Sequence, residues 1–160
     1  MKSLTVKQPW AELMFREMSL PFGVFCVFKQ VETRSWKTNF RGRLAIHAAK
    51  HHDEGLLELL DDDDMMTFAS AGIYTEQDIA DMVHGAIIGE VTVVGCMPIE
   101  ELRKSKYCCV YEETFGDWSD GRYGWILADP VRYAEPIPAV GKLGLWEWEG
   151  KPDGETVQAP

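Results

Sequence analysis

The chain has 160 residues, of which 46% are hydrophobic and 26% are charged, and its formal net charge at pH 7 is −10. This length and apolar content predict one folded domain with a buried core and exclude a disordered chain. The overall acidity argues against a protein that wraps duplex DNA, which needs a broadly basic surface, so duplex DNA is not an expected partner.

The first half of the chain is predicted to alternate short strands and helices. Strands are expected at residues 3–7, 24–36 and 44–48. Residues 44–48 are apolar in every position but one, which is typical of a strand buried on both faces. Helices are expected at 10–18 and 51–60, the second ended by the acidic run Asp61–Asp64.

The second half adds the strongest predicted strand, residues 86–97, whose single charge is Glu90. Helices are expected at 75–83 and 98–104, strands at 123–129, 132–138 and 144–149, and a polar loop at 112–121. This order predicts an α+β, mainly β fold: a small β-barrel with two or three peripheral helices. We expect the domain to span 1–149 and to be followed by a flexible tail at 150–160.

Neither the cysteines nor the N-terminus indicates an exported protein, a membrane protein or a metalloprotein. The four cysteines, Cys26, Cys96, Cys108 and Cys109, have no metal-ligand spacing. The N-terminus lacks the apolar core of a signal peptide, and no apolar run approaches the ~18 residues that cross a membrane. We therefore expect a cytoplasmic protein with reduced thiols, without a metal or cofactor and without a membrane partner.

The basic residues are concentrated between Lys29 and Lys50. This stretch holds six of the sixteen Lys and Arg residues and one acid, a formal charge of +5, whereas the rest of the chain carries −15. Two aromatic residues, Trp36 and Phe40, lie among the cations. Because cations bind phosphate and aromatic rings stack on bases, the stretch predicts a site for single-stranded RNA or a nucleotide-like small molecule. A basic surface hairpin without a ligand is the structural alternative.

Four segments together resemble the ASCH domain family, which shares the fold of the PUA RNA-binding domains. The segments are Leu4-Thr-Val-Lys-Gln-Pro-Trp10, Lys29-x-x-Glu32-x-Arg34-Ser-Trp36, Phe40-Arg41-Gly42 with Leu44-x-Ile46-His47-x-x-Lys50, and Pro138-x-x-Gly141-Lys-Leu-Gly-Leu-Trp146. The resemblance covers residues 3–148 and implies a PUA-like barrel of five or six strands. It also implies that the Lys-x-x-Glu-x-Arg signature lies in a cleft that meets RNA or a nucleotide-like ligand.

Two positions depart from the family pattern. The glycine that opens the family signature is Val27 here, which alters a backbone position suited to close ligand approach. Some relatives are amidohydrolases of an acetylated cytidine that use Lys, Thr and Glu, and Glu32 takes the place of that Thr. Other relatives are ribonucleases. The resemblance is therefore compatible with a nucleic-acid-binding domain and, as the alternative, with a small hydrolase.

The candidate residues form two groups, one with catalytic and one with ligand-binding chemistry. The candidate catalytic residues are Lys29, Lys50, Glu32 and Glu90, because a Lys–Glu pair in a cleft can act as general acid and base. The candidate ligand-binding residues are Arg34, Trp36, Arg41, His47 and Trp10. Structural alternatives stand beside these roles: core packing for the Trp residues, a hydrogen-bonded core position for His47, a rim ion pair for Glu32 with Arg34, a cap of the turn for Arg41, and a buried ion pair for Glu90.

Strand geometry adds two expectations about these side chains. Glu32 and Arg34 share one face of a strand, and Lys29 faces the other way unless a bulge intervenes. Glu90 needs a partner in its apolar strand, which Lys29, Lys50 or Arg34 could supply. A third hypothesis is a non-enzymatic protein that uses the acidic runs at 58–64 and 112–120 to contact a partner.

Overall fold

The computed structural model describes residues 1–19, 25–105 and 112–150. The strands in these residues, β1 to β8 in chain order, are Lys2–Val6, Glu17–Ser19, Phe25–Val27, Val31–Arg34, Gly42–Ala48, Ala86–Pro98, Tyr123–Pro138 and Leu145–Glu147. The α-helices, α1 to α4, are Trp10–Leu13, Asp62–Ser70, Glu76–Ala80 and Ile99–Leu102. Two 3-10 turns, Leu57–Leu59 and Glu112–Phe115, complete the described elements. The predicted tail lies outside the described residues from 151 onward.

Six of the strands form one sheet in the order β4-β7-β6-β5-β1-β8, and β2 and β3 form a separate hairpin. Strands β1 and β5 are parallel, and the other pairs in the sheet are antiparallel. The fold is therefore mainly β, as predicted from the sequence. Within the described ranges, no helix has the length and hydropathy that a membrane span requires.

The sheet has two apolar faces. The inner face carries the larger core, to which β5 contributes Leu44, Ile46 and Ala48. The outer face carries a smaller cluster with Ala45 and Trp146. Because successive residues of a strand point to opposite faces, β5 must be apolar in both sets of positions. The predicted two-sided burial of this strand is confirmed.

Long, irregular strands curl the sheet into a half-barrel. The register between β6 and β7 shifts at three places, and one of these shifts lies beside Asp129, whose φ is +48°. Such bulges bend a strand and increase its twist. Strands β4 and β1 are separated by three strands in the sheet, yet Nη2 of Arg34 donates a hydrogen bond to the carbonyl oxygen of Thr5 at 2.9 Å. The curl thus brings β4 within side-chain reach of β1.

A small helical lobe covers part of the inner side. Phe68 of α2 and Ile79 of α3 are fully buried in a cluster with Leu13. The prediction that Asp61–Asp64 ends a helix is wrong, because Asp61 is the N-cap of α2 and accepts a hydrogen bond from the Asp64 amide. Aspartates stabilise a helix N-terminus, where the orphan N–H groups and the positive end of the dipole lie.

The predicted helix at 10–18 is wrong in its second half. Helix α1 ends at Leu13, and strand β2 begins at Glu17. The backbone carbonyl groups of this segment accept hydrogen bonds from residues 28 and 29 and not from a continuing helix. The Leu13 carbonyl accepts from the Lys29 amide, and the Arg16 carbonyl accepts from the Phe28 amide. Tertiary pairing therefore overrides the helical composition.

Candidate functional site

The first candidate residue, Lys29, lies inside the protein with 1% of its side chain exposed. Its Nζ donates hydrogen bonds to the carbonyl oxygens of Val31 at 2.5 Å and Phe115 at 2.6 Å. The Glu32 Oε2 lies 3.3 Å from the same nitrogen. An ammonium has three N–H donors, so these acceptors account for all of them. Lys29 ties β4 to the segment at Phe115, and contact with a ligand would require it to exchange one of these partners.

Glu32 links Lys29 to Arg34 in a row of alternating charge. The Glu32 Oε1 lies 3.0 Å from Nε of Arg34, whose side chain is 26% exposed. The expectation that Lys29 faces away from Glu32 is wrong. Strand β4 begins at Val31, so Lys29 lies before the strand and its long side chain folds back toward Glu32. Arg34 is the solvent-exposed end of this row.

A fourth charged residue, Glu112, joins the row and was not identified from the sequence. Its Oε1 accepts a hydrogen bond from the Gln30 amide at 2.5 Å, and its Oε2 accepts one from the Val31 amide at 3.2 Å. Burial raises the pKa of Glu112 to about 7, although the positive charge of Lys29 and the two amides oppose the rise. The composition of residues 112–121 predicts a polar loop. The residue of this segment that indicates burial near Glu112 is Phe115, which lies three residues later and is fully buried.

The two candidate aromatic platforms both pack against the inner core and keep part of their surface exposed. Trp36 meets the buried Trp125 edge to face, with ring centroids 4.6 Å apart. Trp10 meets Phe68 of the helical lobe in the same way at 5.6 Å. Such contacts hold the rings in fixed orientations. Each ring is therefore partly buried against the core and partly exposed at the surface.

The carboxyl ends of two parallel strands lie side by side near Arg34. Val6 of β1 is paired with Ala48 of β5, and Lys50 follows two residues later with its side chain exposed. Arg34 reaches the same end of β1 through the Thr5 carbonyl. Among the described residues, Lys50 has no acidic partner within ion-pair distance. Arg34 and Lys50 are thus brought toward the same end of the half-barrel.

Arg41 lies apart from this end of the sheet. It precedes β5, whereas Lys50 follows it, and a strand of seven residues separates its two ends by about 20 Å. The Nη1 of Arg41 donates to the carbonyl oxygens of Thr38 at 3.3 Å and Phe40 at 2.7 Å. The structure therefore does not bring Arg41 together with Lys50, and its contacts stabilise the turn before β5.

His47 is buried on the outer face with 2% exposure. Its Nε2 lies 3.0 Å from the Ala139 carbonyl oxygen, and its ring meets Trp146 edge to face at 5.9 Å. Burial lowers the pKa of His47, so the ring is neutral near pH 7. The buried Nδ1 has no hydrogen-bond partner among the described residues. His47 therefore does not join the row on the inner face.

Glu90 is also on the outer face, opposite Ala45. Its Oε1 lies 2.5 Å from Nη2 of Arg43, and the Tyr133 hydroxyl donates to its Oε2 at 3.1 Å. Burial and the charge of Glu90 raise the pKa of Tyr133, which keeps the phenol protonated as a donor. The expectation that Lys29, Lys50 or Arg34 pairs with Glu90 is wrong, because strand pairing directs Glu90 and Arg43 to the face opposite Glu32.

Comparison with known proteins identifies the family to which the chain belongs. The sequence model of the ASCH domain matches residues 24–136, which is more than half of the chain. The chain belongs to the ASCH domain family. ASCH domains have a PUA-like fold that is associated with RNA binding. The matched range includes Lys29, Glu32 and Arg34 and ends within β7.

Longer relatives and a solved structure extend the comparison. The chain is 27% identical over 153 residues to activating signal cointegrator 1 of Homo sapiens, and 26% identical over 156 residues to that of Mus musculus. Each alignment covers 92% of the chain, but the chain spans only 22% of each of these curated relatives. A mutant of the ZmASCH protein from Zymomonas mobilis is similar over 86% of this chain and 74% of its own, with 12% identity and a TM-score of 0.41.

Proposed function

We propose that this ASCH domain binds single-stranded RNA or a nucleotide-like ligand at the end of the half-barrel where Arg34 and Lys50 lie. The observation that carries the proposal is the fixed, partly exposed guanidinium of Arg34. An ion pair with Glu32 and a hydrogen bond from Nη2 to the Thr5 carbonyl oxygen position it, and neither contact uses Nη1. A guanidinium fixed in this way donates to a phosphate or a base carbonyl without first losing side-chain entropy.

Lys50 supplies the second part of the proposed site. It is exposed, and within the described ranges no carboxylate neutralises it, so its charge is available to a phosphate. Lys7, which follows β1 at the same end of the sheet, is already paired with Asp53 at 2.5 Å. Trp10 follows β1 at the same end of the strand, and its exposed part would stack on a base. The proposed site therefore combines one oriented donor, one exposed cation and one ring.

The test is a binding titration of short RNA oligomers, followed by fluorescence anisotropy at about 0.05 M and about 0.3 M salt. Mononucleotides serve as competitors. We expect Lys50→Ala to weaken binding and to reduce the dependence of log K on log salt by about 0.7, which is one phosphate contact of a single strand. Lys104→Ala is the matched control, because Lys104 is exposed and follows α4, which packs on the opposite face of the sheet.

Two results would contradict this function. One is the absence of binding at the lower salt concentration for oligomers and mononucleotides alike. The other is an equal loss of affinity in Lys50→Ala and Lys104→Ala, since this would show that only net charge matters. Arg34→Lys distinguishes the role of Arg34 from that of Lys50. It keeps the charge but loses the planar donor geometry, and we expect it to weaken binding with little change in the salt dependence.

A second candidate function, hydrolysis of an acylated cytidine or of RNA, is favoured by Glu112. A carboxyl group with a pKa of about 7 can accept and donate a proton near neutral pH, and Lys29 lies beside it. Both groups are fully engaged by hydrogen bonds, so this activity would require the cluster to open. Incubation with N4-acetylcytidine and with RNA tests it. Turnover that is unchanged in Glu112→Gln would exclude Glu112 as the acid or base.

A further inference from the structure

A half-open pocket of about 380 Å³ lies between the β2–β3 hairpin and strands β6 and β7. Its apolar wall includes Met14, Val27, Val91, Val94, Ile126 and Leu127. Its polar lining comprises Glu17, Lys29, Gln30 and Asp129. The Lys29 ammonium is engaged by the carbonyl oxygens of Val31 and Phe115 and by Glu32. Pockets of this size with mostly apolar walls and a few polar groups are typical of small-molecule sites. It is distinct from the proposed RNA site, because Arg34, Lys50 and Trp10 are not among its lining residues.

One carboxylate is held at the pocket rim by an unusual backbone conformation. Asp129 has a φ of +48° and lies where one residue of β6, Val91, faces two of β7, Asp129 and Pro130. Asp is among the few residues that adopt this conformation readily, and a bulge redirects the side chain that it contains. The Nη1 of Arg43 donates to the Asp129 carbonyl oxygen at 2.8 Å and so fixes the bulge from the other face.

The basic residues around the pocket are already neutralised. Lys29 faces Glu32 and Glu112, Arg43 pairs with Glu90, and Nη2 of Arg132 lies 3.1 Å from Glu12. In the part of the chain that the structure describes, the carboxylates of Glu17 and Asp129 have no ion-pair partner. The pocket therefore combines an apolar wall with two carboxylates that form no ion pair with Lys29, the basic residue in its lining, which pairs with Glu32 instead.

We propose that this pocket binds a small organic cation with an apolar body, such as a protonated amine attached to a ring or a short hydrocarbon chain. The apolar body fills the space beside Val91 and Leu127, and the ammonium lies at the rim beside Asp129 and Glu17. The same two charges disfavour phosphates and carboxylates of similar size. This site is thus independent of the RNA-binding function proposed above.

Three probes of nearly equal size and different charge test the proposal: phenethylammonium, 2-phenylethanol and phenylacetate. Binding is followed by the shifts of the Val91 and Leu127 methyl resonances in NMR titrations of the full chain. We expect the cation to bind about five- to tenfold more tightly than the alcohol, which is the effect of two partly screened ion pairs. Phenylacetate is expected to cause no shift at these methyl groups.

Substitution at the rim locates the source of this preference. Asp129→Asn removes one of the two charges and keeps a residue that tolerates positive φ, so the variant is expected to fold. Its preference for the cation over the alcohol should fall to about two- to threefold, the effect of the remaining ion pair with Glu17. Glu135→Gln, at an exposed position later in β7, is the matched control and should keep the preference. Lys50→Ala should also keep it. Equal affinities for the three probes in the unmodified protein, or methyl shifts confined to other parts of the chain, would overturn the proposal.

Discussion

The protonation of Glu112 gives the sharpest prediction about the charged row on the inner face. Burial raises the pKa of this carboxyl group from its ordinary value of 4.5 to about 7. Between these two pH values the folded protein holds a proton that the unfolded chain has released. Stability therefore decreases as the pH rises through this interval, because the unfolded state binds fewer protons than the folded state. Replacing Glu112 by Gln removes this titration.

The magnitude follows from the same two pKa values. A difference between 4.5 and about 7 corresponds to about 3 kcal/mol in the free energy of unfolding, spread over that pH range. Glu112→Gln also loses one of the two acceptors that the Gln30 and Val31 amides use, at a cost of about 1–3 kcal/mol. That second cost is independent of pH. The variant is thus expected to be less stable at pH 5 and to approach or exceed the unmodified protein at pH 8.

Urea unfolding monitored by tryptophan fluorescence at pH 5, 6, 7 and 8 measures the effect. The quantity to compare is the difference in unfolding free energy between variant and unmodified protein at each pH, since other titrating groups cancel in it. Glu113→Gln is the matched control, because Glu113 is the next residue and its side chain is half exposed. A difference between Glu112→Gln and the unmodified protein that stays constant from pH 5 to 8 would refute the raised pKa of Glu112.

Three further predictions concern the core and the outer face. Because burial lowers the pKa of His47 below 6.5, the free energy of unfolding should fall as the pH drops below about 6.5. His47→Gln should reduce this loss of stability at acid pH, measured by urea unfolding. The same loss in the variant and the unmodified protein would contradict the prediction. A Cβ at Gly141 would lie 2.6 Å from Cε1 of His47, so Gly141→Ala should lower stability by about 1–3 kcal/mol, measured as a lower Tm. Ile46→Ala, at a fully buried position, should cost about 2–5 kcal/mol, and a loss below about 1 kcal/mol in urea would contradict the inner core.

Comparing the sequence-based site predictions with the folded structure shows why some succeeded and others did not. Glu32 and Arg34 were placed on one face by the two-residue period of a strand, and their ion pair confirms this geometry. The partner of Glu90 could not be found in this way. It depends on which residues of β5 lie across from β6, and the register brings Arg43 within reach. Periodicity gives the face of a side chain but not its neighbours on other strands.

Glu112 illustrates a stronger limit of sequence reasoning. It lies 83 positions after Lys29, in a segment whose polar composition is typical of a surface loop. Its burial follows from the packing of Phe115 against the helical lobe, which carries the preceding carboxylate inside. No local pattern distinguishes a buried Glu from an exposed one when the tertiary contact is made by a neighbouring residue. The role of Glu112 therefore required the folded structure.

The amino-acid sequence by itself determined the mainly β composition, the two-sided burial of β5 and the membership of the ASCH family. These features depend on residue period, local hydrogen bonding and recurrent motifs, which are properties of short segments. Tertiary structure decided the strand order and the curl that brings Arg34 to β1. It also separated the basic stretch between Lys29 and Lys50 into buried, partly exposed and exposed cations, because pairing between distant strands sets which charges meet.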